Sequence, residues 1–215
     1  FNINLLDIFS YIFYDQNEKK YFLLINGRWV EFKENFLISV NEAVDNINYN
    51  TIKDYNVNNY SVEKEYNKRV ASENNMELLD REILKKIEIG DLLNNENELI
   101  HVKCKAKKAK YGELIYAIQQ SMLSANIVID KNYHTELEEK YKRSFKNVKF
   151  SQSLLFLFEK NYFIKNIEKT GNLSKINSII FKLTLLSWHN FMKEKDIVNK
   201  VYLQYYDKKI KNDNL

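Results

Sequence analysis

Asp91, His101 and Lys103 are the residues of this 215-residue chain whose types and spacing come nearest to a reaction centre. They lie in the run Ile87-Glu88-Ile89-Gly90-Asp91-Leu92-Leu93 and, after a polar turn, in Leu99-Ile100-His101-Val102-Lys103. Side chains alternate faces along a strand, so His101, Lys103, Lys105 and Lys107 line one face while Ile100 and Val102 turn toward a core. An acid beside a lysine on a curved hairpin is the working part of metal-dependent phosphodiester cleavage. Carboxylates hold Mg2+, the ion polarises the phosphate and activates water, and the lysine offsets developing charge. Turn register decides whether these parts meet. With a two-residue loop at Asn95-Glu96, Asp91 pairs with Ile100 and points away from Lys103. With a three-residue loop from Asn95 to Asn97, Asp91 pairs with His101 and shares its face. Only the odd loop supports a site.

This arrangement resembles the PD-(D/E)xK nuclease superfamily, which places an acid on one strand and acid-x-Lys on the next. The resemblance implies Asp91 as the first acid and His101-Val102-Lys103 as the second element. It also implies Glu65 as an acid from the preceding helix and Gln119, or Gln120, as a polar residue from the following one. Asp91, His101, Lys103 and Gln119 are then the expected catalytic residues, with Glu65 and Asp91 as ligands to Mg2+. His101 stands where the superfamily has Asp or Glu. A neutral imidazole brings no negative charge, and Mg2+ prefers oxygen; Glu88 and Asp80 are the nearest substitutes.

The elements that must position these residues follow from periodicity. Phe1–Tyr14 has apolar residues at helical spacing and is expected as a helix or a strand pair. Asn26-Gly27 between Tyr21–Ile25 and Arg28–Phe32 is a strong hairpin signal. Phe36–Ile47 reads as an amphipathic helix, and Asn48–Asn59, with no apolar period, as a loop or linker. Ser61 fits an N-cap for a helix to about Ser72. Glu77–Leu84, Lys86–Leu93 and Leu99–Lys105 read as three antiparallel strands, with a turn at Asn94–Asn97. Gly112–Ile129 carries a helical stripe, Tyr133–Phe145 is a charged helix, and Leu154–Phe158 a buried strand. Ile176–Met192 is a helix and Lys200–Tyr206 a closing strand. The class is α+β: a central mostly antiparallel or mixed sheet flanked by helices, with a restriction-endonuclease-like core. The expected division is a hairpin-and-helix subregion at 1–50 and a nuclease-like domain at 51–215, unless the two are continuous.

A second likeness covers about Tyr21 to Ile129. Glu65-Tyr66-Asn67, Leu78-Leu79-Asp80-Arg81, Gly90-Asp91-Leu92-Leu93 and Glu98-Leu99-Ile100-His101-Val102-Lys103, then the helix Gly112 to Ala125, resemble a sporadically distributed bacterial family with an ELIHVK motif. Tyr21–Val30 matches its early hairpin. Gly90 stands where that family has Cys, and Lys105–Lys110 replaces a Ser/Gly-rich stretch. The likeness implies an accessory role, in phage defence or on mobile elements, and a longer parent protein, but no reaction.

Composition sets the outer bounds. The net charge is +4, too small to establish nucleic-acid binding by itself, but Lys103, Lys105, Lys107, Lys108 and Lys110 crowd into eight positions and are candidate phosphate contacts. A Lys-, Asn-, Ile- and Tyr-rich chain without Pro points to an AT-rich genome, which weakens arguments from Lys or Asn counts. The single cysteine, Cys104, excludes an internal disulfide framework and a multi-cysteine zinc site, and fits a reducing cytoplasm. No apolar run reaches the ~18 residues that span a membrane. Phe1–Phe13 lacks the marks of a secretory signal, and since Phe1 is not a start methionine the chain is expected to begin inside a longer protein. Nucleic acid and the N-terminal remainder of that protein are the expected partners. The alternatives are a non-catalytic nucleic-acid-binding module on the same fold and a partner-binding scaffold.

Overall fold

The computed structural model describes residues 11–15, 20–25, 28–47, 49–51, 63–79, 83–84, 87–104, 111–141, 149–168, 172–176 and 178–206. Contacts divide the chain into two compact units, 1–43 and 44–215.

The first unit holds an antiparallel meander of β1 (Tyr11–Asp15), β2 (Lys20–Ile25) and β3 (Arg28–Phe32). Ile25 faces Arg28, which is the register that the Asn26-Gly27 pair predicts. Residues 1–10, the bulk of the segment expected as a helix or a strand pair, lie outside the described residues, and the remainder, 11–14, falls in β1. Helix α1 (Glu34–Asp45) follows, with Phe36 stacked on Phe32 at 5.0 Å between ring centroids.

The second unit is built on a six-stranded mixed sheet in the order β4-β11-β10-β9-β8-β5. Its strands are β4 (Tyr49–Thr51), β5 (Glu77–Leu78), β8 (Leu92–Leu93), β9 (Glu98–Cys104), β10 (Ser151–Glu159) and β11 (Val198–Tyr206). The expected α+β class is what is found, with one change of emphasis. β4, β11, β10 and β9 run parallel, and only the β5–β8–β9 meander is antiparallel. Helical crossovers impose this, because parallel neighbours need a long connection. Tyr49–Thr51 is a strand on β11 rather than part of a linker. Lys200–Tyr206 does not close the sheet at an edge, because β11 lies between β10 and β4. The expected hairpin before Asp91 is broken into short pieces, with β6 (Ile83–Leu84) and β7 (Ile87–Glu88) forming a separate ladder.

Helices cover both faces. On one lie α3 (Gly112–Ile129) and α6 (Ile179–Glu194), on the other α2 (Glu63–Glu73). α3 buries Leu114, Ala117, Ile118, Ser121, Ser124, Ala125 and Val128, the stripe expected of a helix lying on a sheet. α2 places Tyr66, Val70 and Ala71 against Ile100, Val102, Leu155 and Leu157. Covered on both sides, β10 reads as the continuous apolar run Leu154-Leu155-Phe156-Leu157-Phe158, all buried. After α3, Asp130 opens a short turn into α4 (His134–Tyr141), and α5 (Lys160–Phe163) follows β10. The element order from α2 onward is α2, β5, β6, β7, β8, β9, α3, α4, β10.

Candidate functional site

The turn between β8 and β9 has the odd length. Leu92 faces Ile100, Leu93 faces Leu99, and Asn94 N donates to Glu98 O at 3.1 Å, leaving residues 95–97 as the loop. Asn94 fixes it by accepting from the N–H groups of Glu96 and Glu98 at 2.9 Å. Asn97 supplies the left-handed position, φ 64°, which Asn tolerates. At the far end Glu98 is buried, accepting from Tyr202 Oη at 2.9 Å, Asn94 Nδ2 at 2.8 Å and Ser153 Oγ.

The odd register brings Asp91 level with His101, yet Asp91 does not continue the ladder. Its N–H donates to Ile100 O at 2.9 Å, so Asp91 and Leu92 both address Ile100, in the manner of a bulge that re-aims a side chain. Beyond this step β9 has outrun β8, and its edge amides meet carboxylates. Val102 N donates to Asp91 Oδ2 at 2.7 Å, and Cys104 N to Glu63 Oε2 at 2.9 Å. The other Glu63 oxygen takes Lys103 Nζ at 2.9 Å in a half-buried ion pair. Asn67 Nδ2 donates to Asp91 Oδ1 at 3.2 Å, and Gln120 Nε2 to Glu88 Oε2 at 2.9 Å.

Electrostatics bind the group together. Burial pushes Asp91 up to about 7; the Val102 N–H and Lys103 oppose that rise, and the Glu88 and Glu63 charges add to it. Burial works to lower Lys103, but the Glu63 bond and the charges of Glu63, Asp91 and Glu88 outweigh it and hold its pKa above the ordinary lysine value.

The structure thus brings Asp91 and Lys103 together, as the sequence predicts, and corrects three neighbours. Glu65 is exposed; Glu63 and Asn67 are the α2 residues facing the site. The signal was present, because Glu63, Asn67 and Val70 follow the i, i+4, i+7 spacing of the helix face that buries Tyr66 and Val70. Gln119 is exposed, and Gln120 makes the contact to Glu88. His101 does not share an open face with Lys103. It is 2% exposed beneath α3, with Nε2 3.1 Å from Gln152 Oε1, and burial pushes its pKa down to about 4, the Gln152 bond opposing. Gln152 also accepts from Ser121 Oγ and donates to Ser124 Oγ, both at 3.2 Å, and Trp188 Nε1 donates to Ser121 Oγ at 3.0 Å. His101 is therefore a neutral member of a buried network. Cys104 is half-buried against the α2 side of the core. Asp80, Lys105, Lys107, Lys108 and Lys110 lie outside the described residues.

A family model described as a family of unknown function (DUF6119) matches residues 3–178. The chain belongs to that family. The match includes every residue of the Glu63–Asp91–Lys103 group and the polar network as far as Gln152, so this DUF6119 site lies inside the family's span. No curated protein and no solved structure matches the chain.

Proposed function

We propose that this chain is a nuclease-like module acting on the phosphodiesters of DNA or RNA. The observation that carries the reading is the convergence of Glu63, Asp91 and Lys103 at one end of β9, which lies in the chain between helices α2 and α3. In that role Lys103 offsets charge developing on a phosphate, Asp91 is the acid beside it, and Gln120 orients Glu88. Oxygen donors suit a hard cation such as Mg2+. Among the described residues, however, no three His, Cys, Asp or Glu side chains group closely enough to hold a metal ion. Asp91 would be the protein ligand, and the ion when bound would polarise the phosphate. Lys105, Lys107, Lys108 and Lys110, which follow Lys103 in the chain, are the proposed phosphate contacts. A reducing cytoplasm fits the single cysteine, and no helix among the described residues is long and apolar enough to cross a membrane. The proposed setting is a bacterial defence or mobile-element protein of which this chain is one part.

A second reading has its own support. The Asp91 and Glu63 carboxylates already accept main-chain N–H groups, and His101 is sealed in the core. That favours a module that binds nucleic acid without cutting it. Incubation with single- and double-stranded DNA and RNA in Mg2+ or Mn2+ separates the two. Cleavage that falls by about 100-fold or more in Lys103→Ala selects the nuclease. Salt-sensitive binding without cleavage, weakened by neutralising Lys105 to Lys110, selects the binding module. No binding to any nucleic acid sinks both.

A further inference from the structure

We infer that Asn67 Oδ1 and Asp91 form a seat for a hard divalent cation. Asn67 is 1% exposed, and its Oδ1 is the one buried side-chain polar atom among the described residues that has no hydrogen-bond partner. Its own Nδ2 is engaged with Asp91 Oδ1 at 3.2 Å, so the orphan oxygen sits on the same amide that touches the acid. Buried polar atoms left unpaired are rare and costly.

The surroundings say what kind of species is wanted. The donors described at this end of β9 are already committed: Val102 N to Asp91, Cys104 N and Lys103 Nζ to Glu63, Asn67 Nδ2 to Asp91, and Gln120 Nε2 to Glu88. Among the described residues, what remains is acceptor capacity on Asn67, Asp91 and Glu63, set against Lys103. A group that brings donors alone would satisfy one atom; a cation satisfies the atom and the charge. All the available atoms are oxygens, which selects Mg2+, Mn2+ or Ca2+ over softer ions. Mg2+ in particular is held by one or two carboxylates with water completing its shell, which suits a seat of one carboxylate and one amide oxygen. His101 cannot serve, being turned to Gln152 in the core.

The inference shares its site with the nuclease reading and is tested without substrate. Mn2+ alone is titrated into the full chain, and loss of the free-ion EPR signal is followed. Saturable binding of about one ion per chain is expected, weakened at least about 10-fold in Asn67→Leu, since loss of even an outer-shell partner costs a metal site 10–100-fold. Glu139→Gln, which removes an exposed carboxylate on α4, should bind as the parent does. If Asn67→Leu does not fold, Asp91→Asn serves, since it keeps an acceptor for Val102 N and must lose the ion. Absence of saturable Mn2+ binding, or binding unchanged in the folded variant, overturns the inference. Mn2+ binding at Asn67 without cleavage of any nucleic acid removes the nuclease reading and leaves the cation seat standing.

Discussion

Asp91→Asn exchanges one carboxylate oxygen for an amide nitrogen and keeps an acceptor for the Val102 N–H. It also places a donor where Asp91 Oδ1 stands; Asn67 Oδ1 accepts from it once the Asn67 amide turns over, which leaves Asn67 Nδ2 as the unpaired group. The wild-type carboxyl titrates at about 7 in the fold against an ordinary 3.8. A carboxyl raised in this way binds more protons folded than unfolded, so its contribution to stability is fully present below pH 3.8 and is lost as pH rises through 7. About three pKa units at 1.36 kcal/mol each set a ceiling near ~4 kcal/mol. Between pH 5 and pH 8 the loss is roughly 2–3 kcal/mol. His101 works in the opposite sense. Its pKa, lowered from 6.5 to about 4, gives stability that is present above pH 6.5 and lost as pH falls toward 4. Across pH 4 to 6.5 the two slopes offset each other in the wild type. The Asn variant removes one of them. Its stability should therefore rise with pH over that window, and at pH 8 it should exceed the wild type by about 2–4 kcal/mol. Urea denaturation in EDTA at a series of pH values measures this directly. A variant less stable than wild type by the same margin at pH 5 and pH 8 would refute the reasoning, because it would show that the ionised carboxylate is a net support.

The polar network gives a complementary expectation. Gln152→Leu strips His101, Ser121 and Ser124 of buried partners and should cost about 3 kcal/mol by urea denaturation, at about 1–3 kcal/mol per orphaned group. A double-mutant cycle on Glu63 and Lys103, whose side chains are 26% and 25% exposed, should return a coupling of about 1 kcal/mol. Glu63→Ala alone should cost more than Lys103→Ala alone, because Cys104 N also depends on Glu63.

How much could be read from the chain alone varies with how local the signal is. The Asn26-Gly27 hairpin and the helix Gly112–Ile129 were legible because turn chemistry and a 3.6-residue stripe act within a few residues. The odd turn at residues 95–97 is fixed by the Asn94–Glu98 pairing, which the chain alone leaves open between two and three loop residues. Tyr49–Thr51 was missed because three residues rich in polar groups become a strand only when β11 lies beside them. His101 was misplaced for a related reason. Alternation groups it with Lys103, but burial of His101 against Gln152 and the reach of Lys103 Nζ to Glu63 on α2 are matters of tertiary packing. Glu63 lost to Glu65 because a motif was matched by residue type, where the helix period of Tyr66 and Val70 would have chosen the inward residue.

The position of β11 also governs the order in which the molecule can form. Among the described residues β4 pairs only with β11, and Tyr49 and its partner Val201 are separated by about 150 positions. During synthesis β4 emerges early and must wait for its place in the sheet until β11 slots between it and β10. The β5–β8–β9 meander, with α2 against it, needs only local closure and is free to assemble first. Late insertion of a central parallel strand is a slow, high-contact-order step. It leaves the buried flank of β10 open to solvent until the end, so the vulnerable interval in this protein's folding is the time before β11 arrives.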